Sequence, residues 1–185
     1  MRVLVTGATG LIGGAVAHRL KERGHDIVGL ARSEASAAKL RDRGFVAEMG
    51  ELADPAGLAA AVRGVDAVVH AASPNDQNAA SLDEIATRAI LEAQRGTGQR
   101  FIYTSGSLVY GSTGDTPATE DTPLNPVEMV RWREGLEREI LAATAEGVHP
   151  VVVRPAWVYG NWGGAAMMMV AAAKDHGAAL HVGDG

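Results

Sequence analysis

Residues 1–13 read Met1-Arg2-Val3-Leu4-Val5-Thr6-Gly7-Ala8-Thr9-Gly10-Leu11-Ile12-Gly13, and the rest of the 185-residue chain is placed by reference to them. Val3, Leu4 and Val5 form an apolar run with no alternating polar side, the pattern of a parallel strand buried on both faces. Three glycines spaced three apart follow at once, and Leu11, Ile12, Val16 and Leu20 then open a helical pattern that stops at Gly24. In a strand, glycine turn, helix unit, Gly7 permits the turn, Gly10 lets the backbone approach a pyrophosphate, and Gly13 lets the helix pack on the strand. Amides at the helix start favour the negative charge of the phosphates. A purely structural turn is the other reading of a glycine triplet, and the flanking strand and helix favour phosphate binding over it.

The spacing differs from the G-x-G-x-x-G of dehydrogenase-type dinucleotide folds. Thr6-Gly7-Ala8-Thr9-Gly10-Leu11-Ile12-Gly13 resembles the short-chain dehydrogenase/reductase superfamily, in particular its extended, epimerase/dehydratase-like branch with atypical members, and the resemblance continues through almost the whole chain. It implies an NAD(P) cofactor, with Thr9, Leu11 and Ile12 beside it together with the three glycines.

Composition bounds the alternatives. The formal charge of −5 argues against nucleic acid or an anionic membrane as the main partner. With no cysteine, thiolate chemistry, disulfides and Cys-based metal sites are absent, and the six histidines are too scattered to predict a metal site. No apolar run is long enough for a membrane span, so a cytoplasmic enzyme or binding protein acting on a small molecule is expected.

Taken in order, residues 26–30 read as a second strand with Arg32 and Ser33 at its carboxyl end. An acidic side chain there would bind ribose hydroxyls, whereas an arginine pairs with a 2′-phosphate, so Arg32 with Ser33 favours NADP(H) over NAD(H). A solvated surface arginine is the alternative. A third strand over 45–48 leads into Gly50-Glu51-Leu52-Ala53-Asp54, which looks like the family's G-D-L-x-D turn, and the resemblance gives Glu51 and Leu52 an adenine contact. Asp54 before Pro55 also reads simply as a helix cap. The fourth strand, 65–70, ends at His70, read as a packed residue rather than a base, and the small Ala71 and Ala72 match the turn beside the cofactor's ribose and phosphates. In 78–95 the apolar residues Leu82, Ile85, Ala86, Ala89, Ile90 and Ala93 predict the face turned to the sheet. Asp83 stands there where the family usually has Asn.

The fifth strand, 100–104, places Thr104 at the cofactor and runs into Ser105-Gly106-Ser107-Leu108-Val109-Tyr110-Gly111, resembling S-S-S-x-x-V-Y-G. The family's catalytic hydroxyl, four residues before that tyrosine, falls on Gly106. Ser105 and Ser107 flank it, as replacement hydroxyls or as turn residues. Asn125-Pro126-Val127-Glu128 predicts a helix start with Met129, Trp132, Leu136, Ile140 and Ala143 buried, running to Gly147. This is the family's Tyr-x-x-x-Lys helix, and those two positions fall on Met129 and Arg133. Arg133 remains a candidate for holding the ribose or a phosphate, but the proton donor is missing.

The sixth strand, 148–154, leads into Pro155-Ala156-Trp157-Val158-Tyr159-Gly160, which resembles the family's R-P-x-x-V-Y-G, and the resemblance puts Pro155 beside the nicotinamide. Residues 1–158 therefore read as an NAD(P)-binding domain and 159–185 as the start of a substrate lobe that ends early, with Asn161, Trp162 and Gly163 as substrate contacts. A helix over 165–176 and a strand over 179–182 follow, and the last twenty or so residues are expected either to be mobile or to pair with a second copy, as in a homodimer. The fold expected is α/β, a Rossmann-type doubly wound parallel sheet of order 3-2-1-4-5-6. Two function classes remain open: an NADPH-dependent oxidoreductase or epimerase-like enzyme acting on a small carbonyl or alcohol, and a non-catalytic NADP(H)-binding sensor or scaffold.

Overall fold

The computed structural model describes residues 1–74, 76–160 and 163–178. The chain divides into two compact units, Met1–Pro155 and Ala156–Gly185. In the first, strands β1 (Arg2–Thr6), β2 (Asp26–Ala31), β3 (Val46–Met49), β4 (Ala67–His70), β5 (Arg100–Thr104) and β6 (His149–Val153) alternate with helices α1 (Leu11–Glu22), α2 (Glu34–Asp42), α3 (Pro55–Arg63), α4 (Ala79–Gln94) and α5 (Trp132–Ala142). All six strands are parallel, in the order β3-β2-β1-β4-β5-β6, so the doubly wound sheet expected from the sequence is present.

The apolar run of β1 alternates between two cores. Val3 and Val5 pack with Ala17, Ala37, Leu40 and Phe45, the layer of α1 and α2. Leu4 packs with Val62, Ile90, Phe101, Leu136 and Ile140, the layer of α3, α4 and α5. A strand clad on both sides has no face left for polar residues, which is why its sequence shows no alternation. Full burial of each such Val, Leu or Phe contributes about 1.5–3 kcal/mol.

Helix ends follow their local chemistry. Asp54 caps α3, accepting from the amides of Ala56 and Gly57 at 3.1 Å, with Pro55 in the first turn. Ser33 and Ser36 form a reciprocal cap on α2.

Two helices depart from expectation. In α4 the buried stripe is Asp83, Ala86, Thr87, Ile90, Leu91 and Gln94, whereas Ile85 is 39 % exposed. Two of the inward polar residues meet partners there: Gln94 donates to the Arg100 carbonyl at 3.3 Å, and Asp83 joins the buried network described below. In the other case, α5 begins at Trp132 rather than Pro126. The amides of Asn125 and Val127 donate to the carbonyls of Val109 and Leu108, at 3.0 and 3.3 Å, which holds 125–127 extended, and only a short 3-10 turn, Glu128–Val130, precedes the helix. Met129, expected in the buried stripe, is 75 % exposed.

In the second unit β7 (Tyr159–Gly160) and β8 (Gly163–Gly164) pair antiparallel ahead of α6 (Ala165–His176). Gly163 lies opposite Gly160 in that hairpin. Asn161, Trp162 and the strand expected over 179–182 lie outside the described residues. Among the described residues no helix is long and apolar enough to cross a membrane.

Candidate functional site

Parallel strands share one carboxyl edge, and the chain reverses its direction of travel across the sheet between β1 and β4, where Thr6 pairs in register with His70. Ligands of such sheets bind in the crevice outside that edge, at the reversal point. The glycine turn lies on one side of it and the Ala71–Ala72 turn on the other.

The two turns touch. Gly7 has φ +73°, and a Cβ there would lie 2.6 Å from the Ala71 carbonyl oxygen and 2.9 Å from the Ala72 Cα. The Gly10 amide closes the turn on the Gly7 carbonyl at 2.8 Å. A Cβ on Gly13 would lie 2.4 Å from the Gly7 oxygen, so the first turn of α1 packs directly on the glycine turn. Gly10, at the N-cap, offers no side chain to the helix amides, and the first turn of α1 carries no acidic residue. The amides of Leu11 and Ile12 are thereby left to an outside anion, and the cradle fits a pyrophosphate. Arg43, from the end of α2, donates to the Ala8 carbonyl at 2.9 Å and braces the turn, a contact the sequence did not signal.

The remaining expected residues lie at the same edge. Arg32 is exposed after β2, with no carboxylate partner among the described residues, while the Ser33 hydroxyl is engaged in capping α2. Glu51 is exposed and Leu52 half-buried after β3, their backbone turned by the Asp54 amide donating to the Glu51 carbonyl. Thr9 is half-buried in the glycine turn. Thr104 ends β5, and its carbonyl accepts from Arg133 Nη1 at 3.3 Å. The Ser107 amide donates to the Pro155 carbonyl at 2.9 Å, joining the turn after β5 to the end of β6. Ser105 is 6 % exposed, and its Oγ has no hydrogen-bond partner among protein groups. Arg133 lies over the Trp132 ring, 4.8 Å from its centroid, with its Nε buried and unpartnered. Met129 lies in the 3-10 turn before α5 and is exposed, whereas Arg133, in the first turn of α5, is half-buried.

Beneath the crevice runs a buried polar network. Thr6 Oγ1 lies 2.7 Å from His70 Nδ1, His70 Nε2 lies 2.8 Å from Asp83 Oδ1, and the Tyr103 hydroxyl donates to Asp83 Oδ2 at 2.6 Å. Burial, reinforced by the Asp83 carboxylate, pushes the Tyr103 phenol far above its usual range. The sign follows from linkage: the stabilisation is fully present below the unfolded tyrosine value of about 10 and is lost as pH rises from there towards the folded value. Denaturation midpoints should fall as pH passes about 10, and Tyr103→Phe should flatten that part of the slope while costing about 1.5–3 kcal/mol at neutral pH for the lost bond to a charged acceptor. An unchanged alkaline slope in the variant would refute this. In the sequence the only signal for the network is Asp83, Thr87 and Gln94 recurring on one side of a helix.

Further along, Arg154 donates through Nε and Nη2 to Glu137 Oε2 at 3.0 and 2.7 Å, and through Nη1 to the Tyr110 hydroxyl at 2.7 Å. Among the described residues no three His, Asp or Glu side chains gather to hold a metal ion. A cavity lined by Arg2, Lys21, His25, Asp26 and Val46 lies at the amino-terminal ends of the strands, away from the glycine turn.

A doubly wound parallel sheet with a T-G-x-x-G-x-x-G turn at its reversal point defines a Rossmann-type dinucleotide-binding protein. Residues 3–185 match the model of the NAD dependent epimerase/dehydratase family, and the chain belongs to that family, within the extended short-chain dehydrogenase/reductases. It is 37% identical to an uncharacterised protein of Schizosaccharomyces pombe, over 100% of this chain and 64% of the relative. It is 29% identical to the sterol-4-alpha-carboxylate 3-dehydrogenase, decarboxylating, of Dictyostelium discoideum, over 86% of this chain and 54% of the relative. The dTDP-glucose 4,6-dehydratase of Bacillus anthracis str. Ames, solved in complex with NAD, shares the fold with a TM-score of 0.79 at 22% identity, over 95% of this chain and 62% of that one. The chain spans less than two thirds of the length of each.

Proposed function

We propose that residues 1–158 bind NADP(H) and that the chain belongs to an oxidoreductase or epimerase-like enzyme acting on a small carbonyl or alcohol, with 159–185 beginning the substrate lobe. The observation that carries the cofactor preference is Arg32, exposed and without a carboxylate partner among the described residues, at the strand end where an acidic residue would select NAD. The glycine turn and the amides of α1 hold the pyrophosphate, Arg32 with Ser33 the 2′-phosphate, and Glu51 with Leu52 the adenine. Ala71 and Ala72 leave room for ribose and phosphate, and Thr104 and Pro155 flank the nicotinamide. The bound cofactor supplies or accepts a hydride, and the dehydrogenase named among the relatives supports carrying that chemistry over.

On the protein side, Ser105 Oγ, buried and unpartnered, is the group placed to hold or pass a proton, with Ser107 beside it and Arg133 as a fixed cation. The reading carries with it a cytoplasmic location and a small-molecule partner; a homodimer rests on the strand expected over 179–182 alone. A second reading, a sensor without turnover, is favoured by Met129, an exposed thioether where a phenol would be needed.

The test is a paired titration. NADPH should bind more tightly than NADH by about 1.5–3 kcal/mol, the worth of hydrogen bonds to a charged group, and Arg32→Ala should remove most of the difference. Equal dissociation constants in the unmutated protein would end the NADP(H) reading.

A further inference from the structure

The network under the crevice has a direction fixed by counting donors and acceptors. Thr6 Oγ1 has two lone pairs, and it accepts from two consecutive amides, Ala71 at 3.2 Å and Ala72 at 3.3 Å. Its one hydrogen is therefore donated to His70 Nδ1, 2.7 Å away. A ring nitrogen that accepts carries no proton, so the imidazole proton sits on Nε2 and is donated to Asp83 Oδ1. Tyr103 donates to Asp83 Oδ2. Both donors converge on residue 83, and a carboxylate accepts from both while presenting no hydrogen of its own. Asparagine would turn its NH2 towards one of them. This gives a physical reason for aspartate here, where the family resemblance leads one to expect asparagine.

We infer that Thr6, His70, Asp83 and Tyr103 form a hydrogen-bonded network, directed from Thr6 through His70 to Asp83 and met there by Tyr103, that fixes the Ala71–Ala72 turn against the glycine turn, making them positioning residues for the dinucleotide. Thr6, His70, Asp83 and Tyr103 are 0 %, 1 %, 4 % and 0 % exposed, so water is no substitute for a missing partner. The chain ends on the two amides of the turn whose carbonyl Gly7 touches, and it therefore sets the width of the crevice from below. The positioning of a dinucleotide rests on the cofactor reading above; the direction of the chain and its hold on the turn do not.

The experiment uses the 15N-labelled protein, with Thr6→Val removing only the hydroxyl, Thr6→Ser returning it, and Asp83→Asn reversing one hydrogen bond. Long-range nitrogen-proton NMR should find His70 protonated on Nε2 alone in the unmutated protein. In Thr6→Val the amides of Ala71 and Ala72, each losing its one bond to the hydroxyl, should exchange about tenfold faster, and the NADPH dissociation constant should rise by about the same factor. Thr6→Ser should restore both, and Asp83→Asn should disturb the tautomer and speed the same two amides. A His70 ring protonated on Nδ1, or unchanged exchange at Ala71 and Ala72 in Thr6→Val, would overturn the inference; so would faster exchange with unchanged NADPH affinity. If the unmutated protein binds neither NADPH nor NADH, the cofactor reading fails by itself. The hold on the turn is then decided by tautomer and exchange, and its role towards a dinucleotide is withdrawn.

Discussion

Gly13→Ala should cost about 3 kcal/mol of folding stability, at the upper end for overpacking, and weaken dinucleotide binding by about a hundredfold. The added methyl would lie 2.4 Å from the Gly7 oxygen, 2.6 Å from the Gly7 carbonyl carbon and 3.1 Å from the Thr6 oxygen. All three are backbone atoms, so no side chain can rotate away and α1 must lift off the turn. Lifting it carries the amides of Leu11 and Ile12 away from the position a pyrophosphate would occupy. Gly24→Ala is the control: with φ +82° it is strained, but nothing lies within 4 Å of the added atom. It should cost about 1–2 kcal/mol and leave cofactor affinity alone. Urea denaturation and NADPH titration of the two variants separate these effects, and a Gly13→Ala protein that binds NADPH as well as the unmutated one would remove the glycine turn from the site.

The same contrast explains what was legible in the sequence. Val3 to Gly13 announce strand, turn and helix because each step is local: burial on both faces, a positive φ, a close approach. The sheet order follows from alternating elements and a rule of connection, without any knowledge of side-chain contacts. The start of α5 was not legible, although Asn125 and Pro126 carry the right local signals. The amides of Asn125 and Val127 on either side of Pro126 are claimed by the carbonyls of Val109 and Leu108, far earlier in the chain, and that competition has no local trace. The α4 stripe was misread for a related reason. Ile85 looks like a core residue and Asp83 does not, until His70 and Tyr103, on two different strands, are brought to the same point.

Carbonyl reduction should be the larger casualty of this chain's departures. General acid catalysis contributes about a hundred- to ten-thousand-fold, and on the proposed reading the resemblance puts Met129, which neither donates nor accepts a proton, at the position of the phenol. Turnover with NADPH should therefore lie below that of an enzyme with an intact donor by about that range, some 3–5 kcal/mol of barrier. Restoring the side chains alone should recover little: in Met129→Tyr with Arg133→Lys the phenol would take a position that is 75 % exposed, in the 3-10 turn before α5, while the ammonium would take a half-buried one. Whatever slow rate remains should depend on Ser105, whose Oγ is buried and free to donate, more than on Ser107. Replacing both serines by alanine should cut NADPH-dependent reduction while leaving NADPH affinity nearly unchanged, and Ser105→Ala alone should account for most of the loss. If activity survives the double change, the serines are structural and the proton comes from water or from the substrate. If no carbonyl compound is reduced while NADPH binds tightly, the chain reads the cofactor without using it, and the sensor reading replaces the enzyme.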